Sequence, residues 1–541
     1  MDNIDKENQE IFQEFYESEI TFTKGISSVN PNLTSVQEVI LLYLKELSFY
    51  LLKLKNFGIT NNKIKETVMY AIFNIITNAE YNQDQFHALI SNLYEYINQS
   101  KILYEKYCLE HDILIEVPKT YFKYSKSFDL SDAIRKGEKY FLKRSQFFTP
   151  KQKDLYEIVL FLGKSMGVKI LELQRLGADH DEGYYNILLL FNTIVPRDFS
   201  EETVEKQIAQ TIEVYYDTAK KVFYKQIELY GNITPTEVSF STKPGKAILV
   251  SGSDFKKLEL VLKATEGTPI SVYTHGMEML MAHAFPKIKA HPNLAGHFGS
   301  GLESSLIDFA SFPGAILMTR GTLQKVEYLY RGRLYTLDPI APPGCSKIED
   351  FNFEPLIKSA LEAKGFTHET IKPPMKVGFC EQEIIKKIDD IIDKIKAGEI
   401  NYLYFVGLLN APNPVYKSYF EEFFKLMPKD CYVFSLCCPI NTEKIYHLDS
   451  FYDYSLIYKI LKEIKTKISI RDLNLTIFLT RCDKHTISNL LYLKHIGIKN
   501  IYMCKCPTTL ITPSIIKTLT NTFGIKEITA PQKDLNETLN K

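Results

Sequence analysis

One stretch of the chain, residues 247–299, constrains the fold more than any other. An apolar run at 247–250 ends in Ser251-Gly252, a leucine-rich segment with helical spacing follows, and a β-branched run at 270–273 ends in Thr274-His275-Gly276. Strand, helix and strand in succession predict a parallel sheet whose strands end at one common edge. Open α/β sheets bind ligands at that edge, so we expect functional residues in the loops after these strands.

The same alternation continues towards the C-terminus. Further strands are predicted at 315–319, 333–337, 402–406, 432–436, 475–480 and 500–503, with helices between them. Proline-rich segments at 342–344 and 373–374 interrupt the pattern, and they predict a boundary near residue 375. The sequence therefore predicts two parallel-sheet domains in succession.

Upstream of the sheets, apolar residues recur with helical spacing. Ser35 with Glu38 and the pair Thr149-Pro150 are typical of helix starts, and Gly58 is typical of a helix end. The predicted helices cover about 35–57, 63–79, 85–110, a segment capped by Ser131, 149–177, 182–193 and 200–230. Such a series of amphipathic helices with short links predicts helical bundles.

These patterns predict four parts of the chain. A polar arm covers 1–30, a helical-bundle domain 31–232, a first α/β domain 233–375 and a second α/β domain 376–541. The predicted fold class is multidomain α plus α/β, with an N-terminal helical-bundle domain followed by two doubly wound, Rossmann-like parallel-sheet domains.

Charge and cysteine content exclude several classes of function. Lysine plus arginine and aspartate plus glutamate number 65 each, so no net field favours nucleic acid. No apolar run approaches the ~20 residues that span a bilayer. Nine scattered cysteines and an acidic N-terminus without a signal-peptide pattern predict a cytoplasmic protein with free thiols.

Two motifs in the 247–299 stretch resemble those of the hybrid cluster proteins, also called prismanes or hydroxylamine reductases, which are related to the carbon monoxide dehydrogenase fold. The family pattern V-S-G-H-D stands here as Val250-Ser251-Gly252-Ser253-Asp254. The pattern Y-T-H-G-E-M-L-x-A-H-x-Y-P stands at 273–286 with one extra residue, Met277. Weaker similarity to family segments extends the resemblance from about Ser35 to the C-terminus.

The resemblance implies two iron–sulfur sites, one held by four cysteines near the N-terminus and one hybrid cluster held by one His, two Glu and four Cys. The first cysteine of this chain is Cys108, so the ligands of the first cluster are missing. For the hybrid cluster, the resemblance carries three ligand positions over as a remnant site: Glu278, Cys438 and Asp483. The other four ligand positions carry residues that do not bind iron: Ser253, Gly321, Leu409 and Phe451.

Two other interpretations of these residues stay open. Cys437-Cys438 with Cys482 and His485 could form a small zinc site, although their spacing is not that of known zinc modules. Four histidines cluster in one segment and are predicted to be structural: His275, His283, His291 and His297. No glycine-rich nucleotide-binding motif follows any predicted strand.

We therefore expect a degenerate hybrid cluster protein homologue without iron–sulfur clusters or other metal, acting as a structural or protein-interaction component. No catalytic residue is predicted for such a pseudoenzyme. The alternative is an oxidoreductase of the hydroxylamine or nitric oxide reductase type with a rearranged iron–sulfur–oxo site. The sequence predicts no nucleic-acid partner and no membrane span, and it identifies neither a protein partner nor an oligomeric state.

Overall fold

The computed structural model describes most of the chain. The described residues are 31–76, 83–118, 125–126, 129–145, 148–193, 200–299, 305–319, 328–378, 381–407, 414–436, 445–448, 460–461, 463–464, 466–468, 473–479, 484–503 and 513–539. The chain forms two compact units, one comprising Met1–Thr218 and Pro507–Leu519, the other Ala219–Cys506 and Thr520–Lys541. Within the described ranges, every helix is too short or too polar to cross a membrane.

The first unit is helical. Helices α1 to α7 are Pro31–Asn56, Asn62–Ile76, Gln83–Glu110, Leu130–Ser145, Pro150–Arg175, Asp181–Thr193 and Glu201–Tyr230. Helix α5 is buried along most of its length, with apolar side chains on several faces and two glycines, Gly163 and Gly167, against neighbouring helices. A helix that is apolar on most faces belongs in the centre of a bundle, and the predicted helical bundle is confirmed.

Local sequence signals explain several of the observed helix ends. At the start of α5, the Thr149 side chain accepts a hydrogen bond from Gln152 N, and the Gln152 side chain accepts one from Thr149 N. This reciprocal capping box pairs two backbone donors that the helix itself leaves unpaired. Helix α1 ends at Asn56, two residues before Gly58, whose φ of 76° suits glycine, and Ile59 N donates to Leu54 O at 2.9 Å.

Two predicted caps are wrong. Ser35 lies inside α1, which begins at Pro31, one turn before the predicted start. Helix α4 is capped by Asp129, which accepts a hydrogen bond from Asp132 N at 2.6 Å, whereas Ser131 lies in its first turn. In each case a favourable residue a few positions upstream, a proline at the first turn or an aspartate at the cap, begins the helix earlier.

The second unit contains two six-stranded sheets. Strands β1 to β14 are Thr236–Val238, Lys246–Ser251, Ile270–His275, Leu294–His297, Ala315–Met318, Leu334–Thr336, Ser346–Lys347, Met375–Val377, Tyr402–Gly407, Cys431–Leu436, Ile445–Leu448, Asn474–Leu479, Asn500–Met503 and Lys526–Glu527. Helices α8 to α17 are Phe255–Ala264, Met277–Met281, Pro286–Lys289, Ser305–Ser311, Glu354–Glu362, Glu381–Lys396, Pro414–Leu426, Lys484–His495, Pro513–Phe523 and Pro531–Thr538. Of these, α16 begins in the first unit, which includes its residues 513–519.

Both sheets have the same topology. The first has the order β4-β3-β2-β5-β6-β7 and the second the order β11-β10-β9-β12-β13-β14, and all their pairs are parallel. Each order starts in the middle, runs to one edge and returns to build the other half. This is the doubly wound, Rossmann-like arrangement, with a crevice where the direction reverses. The predicted fold class is confirmed.

A short antiparallel pair joins two distant parts of the chain. Strand β1 pairs with β8, with Thr236 opposite Val377 and Val238 opposite Met375. Two isolated bridges continue the contact at Thr242–Thr370 and Gly245–Phe366. The chain therefore enters and leaves the first sheet side by side. The predicted division into four domains remains a prediction.

Aromatic side chains fill much of the core of the second sheet. One buried cluster groups Tyr404, Phe420, Phe423, Phe478 and Tyr502. Ring centroids of Phe423 and Phe478 lie 5.1 Å apart, and those of Phe478 and Tyr502 lie 4.8 Å apart. Such contacts stabilise a core beyond the effect of buried area alone. The strands of the second sheet that precede the predicted site loops therefore pack against an aromatic core.

Candidate functional site at the carboxyl edges of the sheets

The seven predicted ligand positions all follow strands in the sequence. Along the first sheet, Ser253 follows β2, Glu278 follows β3 and Gly321 follows β5. Along the second sheet, Leu409, Cys438, Phe451 and Asp483 follow β9, β10, β11 and β12. The structure describes Ser253 and Glu278, whereas Gly321, Leu409, Cys438, Phe451 and Asp483 lie outside the described residues. The zinc hypothesis also depends on Cys437, Cys438 and Cys482, which lie outside them as well.

Ser253 lies at the reversal point of the first sheet, between β2 and β5. Its backbone N–H donates to Thr319 Oγ1 at 3.2 Å, and that hydroxyl in turn donates to Ser251 O at 2.9 Å. The Thr319 N–H also donates to Ser251 O, at 2.8 Å. These bonds fix the loop at the crevice where doubly wound sheets bind ligands. The loop there presents a neutral hydroxyl side chain.

Glu278 lies in the first turn of α9, after β3, and is buried. Strands β2 and β3 are neighbours in register, with Ser251 opposite His275, so the loops of Ser253 and Glu278 leave adjacent strands. Glycine precedes the helix because Gly276 has a φ of 90°, a conformation in which a Cβ is strained. The structure thus places both described positions along one sheet edge, in the order the sequence predicts.

A lysine and two aspartates form a charged cluster next to Ser253. Asp254 caps α8 by accepting a hydrogen bond from Lys257 N at 3.2 Å. The Lys257 ammonium lies 2.5 Å from Asp338 Oδ1 and 3.5 Å from Asp254 Oδ2. All three side chains are buried, and Asp338 has no exposed surface. One positive charge therefore compensates two buried carboxylates at this edge of the sheet. The sequence analysis missed this cluster because Asp338 lies 81 positions beyond Lys257 in the chain.

Three of the four clustered histidines are buried and hydrogen-bonded. Thr274 Oγ1 contacts His283 Nε2 and His297 Nδ1, both at 2.8 Å. Burial, with the Lys289 charge adding, lowers the pKa of His283 to about 4. Burial also lowers the pKa of His297, next to His275 and His283. His283 and His297 are thus neutral structural groups of the core at pH 7, in agreement with the sequence-based interpretation.

His275 links a serine and an aspartate. Its Nδ1 contacts Ser251 Oγ at 2.7 Å, and its Nε2 contacts Asp308 Oδ2 at 3.2 Å. The residue types are those of a hydrolytic triad, but Ser251 and His275 have no exposed surface. A nucleophile must reach its substrate, so this chain of hydrogen bonds serves to join β2, β3 and α11. Sequence reasoning missed it because Asp308 lies on a separate helix.

A comparison with models of known protein families identifies the family of this chain. The model of the Prismane/CO dehydrogenase family matches residues 19–444, more than three quarters of the chain. The chain belongs to this family. Of the seven predicted ligand positions, the structure describes two: Glu278 offers a carboxylate, and Ser253 offers a hydroxyl on a loop held by Thr319.

Curated relatives match along nearly the whole chain. A hydroxylamine reductase from Methanocella arvoryzae is 28% identical over 95% of this chain and 96% of its own length. Hydroxylamine reductases from Thermodesulfovibrio yellowstonii and Trichormus variabilis are 29% and 28% identical, over 95% and 94% of this chain and 97% and 96% of their own lengths. Among solved structures, a nickel-free carbon monoxide dehydrogenase from Thermococcus sp. AM4 matches 93% of this chain and 85% of its own with a TM-score of 0.46 and 12% identity.

Proposed function

We propose that this chain is a member of the Prismane/CO dehydrogenase family that works without iron–sulfur clusters, as a structural or protein-interaction component. The observation that carries the proposal is Ser253. On the resemblance of residues 250–254 to the family motif, we assign Ser253 to the position of the family's histidine ligand. A neutral serine hydroxyl is a poor substitute for imidazole as an iron ligand.

The cysteines support the same proposal. The first cysteine in the chain, Cys108, lies on α3 with its side chain fully buried, far in sequence from the expected N-terminal cluster motif. Thiolates are the usual ligands of iron–sulfur clusters, and residues 1–107 contain none. A chain without these ligands lacks the family's route for electrons into the hybrid cluster.

The remaining hybrid-cluster positions point in the same direction. Glu278, Cys438 and Asp483 are the proposed remnant, and Gly321, Leu409 and Phe451 join Ser253 as the proposed lost positions. Soft iron–sulfide clusters need anionic sulfur donors, and this set contains a single cysteine. We therefore propose that the chain holds no cofactor at this site and has no catalytic residues there.

The second candidate function is an oxidoreductase of the hydroxylamine or nitric oxide reductase type with a rearranged iron–sulfur–oxo site. The names of the curated relatives favour it, since the three relatives described above are hydroxylamine reductases and match at least 94% of this chain. In that case Glu278, Cys438 and Asp483 are the proposed ligands. Metal content and turnover separate the two candidates.

The first experiment measures iron, acid-labile sulfide and visible absorption after anaerobic purification. We expect no stoichiometric iron and no sulfide-to-iron charge-transfer bands, because the ligands of both clusters are incomplete. A curated relative purified in parallel should show both and is the positive control. About four irons per chain, with matching sulfide, would contradict the proposal and support the oxidoreductase.

The second experiment measures hydroxylamine turnover with a strong artificial reductant, which removes the need for the first cluster. We expect no turnover above that of free iron, in the native chain and in Ser253→His, because restoring one ligand leaves the set incomplete. Turnover that is lost in Glu278→Ala but kept in the exposed-site control Glu369→Ala would overturn the cluster-free proposal.

We also propose that the protein resides in the cytoplasm. In the part of the chain that the structure describes, Cys108, Cys345 and Cys431 are free thiols. Burial, with the Asp338 charge adding, raises the pKa of the Cys345 thiol to about 12, which keeps it protonated and unreactive. Free, unreactive thiols are typical of proteins in a reducing compartment.

A further inference from the structure

A histidine and two carboxylates meet in the helical unit, away from the sheet edges. His180 precedes α6, Glu182 lies in its first turn, and Asp217 lies on α7. One potential ligand atom from each residue lies within 4.8 Å of the other two. Among the described residues, this is the group of histidine, cysteine and carboxylate side chains that meets the geometric condition for holding a metal ion. None of the predicted cluster ligands takes part in it.

Hydrogen bonding determines which nitrogen of His180 faces the carboxylates. His180 Nδ1 lies 2.9 Å from Thr218 Oγ1. The Thr218 hydroxyl donates its single hydrogen to Val214 O at 2.7 Å, a much shorter contact than the 3.5 Å to Met166 Sδ. Thr218 Oγ1 therefore accepts a hydrogen bond from His180 Nδ1, so the neutral ring carries its lone pair on Nε2. Metal-bound histidines are oriented in the same way, by a hydrogen bond from the second nitrogen.

The distances from Nε2 to the carboxylates fit a shared ion better than direct hydrogen bonds. His180 Nε2 lies 3.7 Å from Glu182 Oε2 and 3.6 Å from Asp217 Oδ2. Hydrogen bonds between charged groups are shorter, at about 2.7–2.9 Å. Two ligands at about 2.1 Å from one ion are separated by about 3.6–3.7 Å when the angle between them is near 120°. Each carboxylate thus lies at a distance from Nε2 that suits two ligands of a single small cation.

Charged residues flank His180 on both sides. Lys65 forms ion pairs with Asp179 and Asp181, the residues on either side of His180. A lysine thus compensates these flanking acids, and Glu182 and Asp217 bring two further carboxylates close to the imidazole.

We propose that His180, Glu182 and Asp217 bind one divalent first-row transition-metal ion, best matched by Zn²⁺. One imidazole and two carboxylates suit this class of ion, and water completes the coordination. The ion joins the start of α6 to α7 across 34 intervening residues between Glu182 and Asp217, so its role is to stabilise the helical unit. This site is independent of the sheet-edge site and of whether that site holds iron.

The test uses full-length, chelator-treated protein and ZnCl₂. We expect binding of one Zn²⁺ per chain by calorimetry and a rise in melting temperature, because an ion that binds the folded state stabilises it. Glu182→Gln and Asp217→Asn keep side-chain size and should each weaken binding at least tenfold and remove the thermal shift. Glu202→Gln alters an exposed acid in the first turn of α7 and should behave like the native protein.

Two further measurements keep the proposal falsifiable. Thr218→Val removes the hydrogen bond to His180 Nδ1 and should weaken Zn²⁺ binding by roughly tenfold without abolishing it. Co²⁺ in place of Zn²⁺ should show no thiolate charge-transfer band, since no cysteine belongs to the set. Native-like Zn²⁺ binding by Glu182→Gln, a thiolate band with Co²⁺, or no binding by the native chain at millimolar Zn²⁺ would each overturn the proposal.

Discussion

At the scale of single residues, the buried charged cluster of Asp254, Lys257 and Asp338 affects the stability of the first sheet edge. Lys257 lies between the buried carboxylates of Asp254 and Asp338, and its own side chain is 10% exposed. Burying charges is costly unless they are paired, and removing one partner of a buried pair is more costly than replacing the whole pair. Lys257 should therefore contribute strongly to the stability of this loop.

We predict that Lys257→Met destabilises the protein by about 3 kcal/mol or more, because it leaves two buried carboxylates without their shared cation. Urea denaturation measures the effect. Lys256→Met is the matched control: the Lys256 side chain is 38% exposed and pairs with Glu259 on the helix surface, so its loss should cost at most about 1 kcal/mol. The double variant Lys257→Met/Asp338→Asn should regain part of the loss. Equal effects of the two lysine substitutions would refute this role.

The buried histidines predict a pH dependence of stability. His283 and His297 have lowered pKa values in the folded protein, so below their ordinary pKa near 6.5 the unfolded chain takes up protons that the folded chain does not. Stability should therefore be complete above about pH 6.5 and fall as the pH drops towards 4, with each histidine contributing up to about 1.4 kcal/mol per pH unit.

His283→Gln tests this pH dependence by denaturation at a series of pH values. Glutamine can still hydrogen-bond Thr274 but does not titrate, so the variant should lose stability less steeply between pH 6.5 and 4.5. His111→Gln alters an exposed histidine and should keep the native slope. An unchanged slope in His283→Gln would mean that this side chain does not stay neutral in the folded state.

At the scale of elements, α1 and α4 approach each other closely at Gly137. A Cβ at this position would lie 1.9 Å from the backbone oxygen of Ser35 on α1. Backbone atoms cannot rotate away as a flexible side chain does, so any larger residue must separate the two helices. Gly137 is therefore a condition for the packing of this pair, even though glycine lowers helix propensity.

We predict that Gly137→Ala destabilises the protein by about 2 kcal/mol or more. Overpacking typically costs about 1–3 kcal/mol, and a Cβ overlapping a backbone oxygen should reach the upper end of that range, which leaves about 2 kcal/mol after the gain of about 1 kcal/mol in helix propensity. Lys139→Ala changes an exposed position of the same helix and should leave stability within about 0.5 kcal/mol. Thermal unfolding compares the two variants, and a stabilised Gly137→Ala would show that the helices do not need this close approach.

Elements with a strong local pattern were predictable from the sequence, and elements defined by distant partners were not. The apolar runs of β2, β3, β9 and β12 are buried central strands, and they were predicted within one or two residues. Strands β1 and β8 have three residues each. They form because they pair with each other across 139 positions, and the local sequence gives no signal of that pairing. Tertiary pairing decides such short strands.

The same difference applies to the sites. Ser253 and Glu278 were found because strand ends and family motifs mark them in the sequence, and the structure places both after neighbouring strands. The His180, Glu182 and Asp217 group was missed. Two of its members are close in sequence, but Asp217 comes from another helix, and only packing of α6 against α7 brings it near. A pair of polar residues at a helix start is too common to indicate a metal site.

For the whole molecule, the proposed loss of the clusters implies a fold that is stable without them. Iron–sulfur ligation normally draws distant chain segments together and contributes to folding. Here the described parts of both sheets have complete parallel ladders and apolar cores. We therefore predict that an iron(II)-selective chelator, applied anaerobically with reductant, leaves the melting temperature unchanged.

A curated relative treated in the same way should lose stability and serves as the positive control. The chelator must not extract Zn²⁺, because removal of the proposed ion at His180 would lower the melting temperature for a separate reason. A melting temperature that falls with loss of iron, in the native chain as in the relative, would show that the fold still depends on a cluster.

The antiparallel contact between β1 and β8 has a consequence for how such a protein could arise. Because residues 236–238 lie beside residues 375–377, the polypeptide between them begins and ends at one place. A segment with adjoining ends can be spliced into a host chain, or cut from it, while the flanking residues stay where they are.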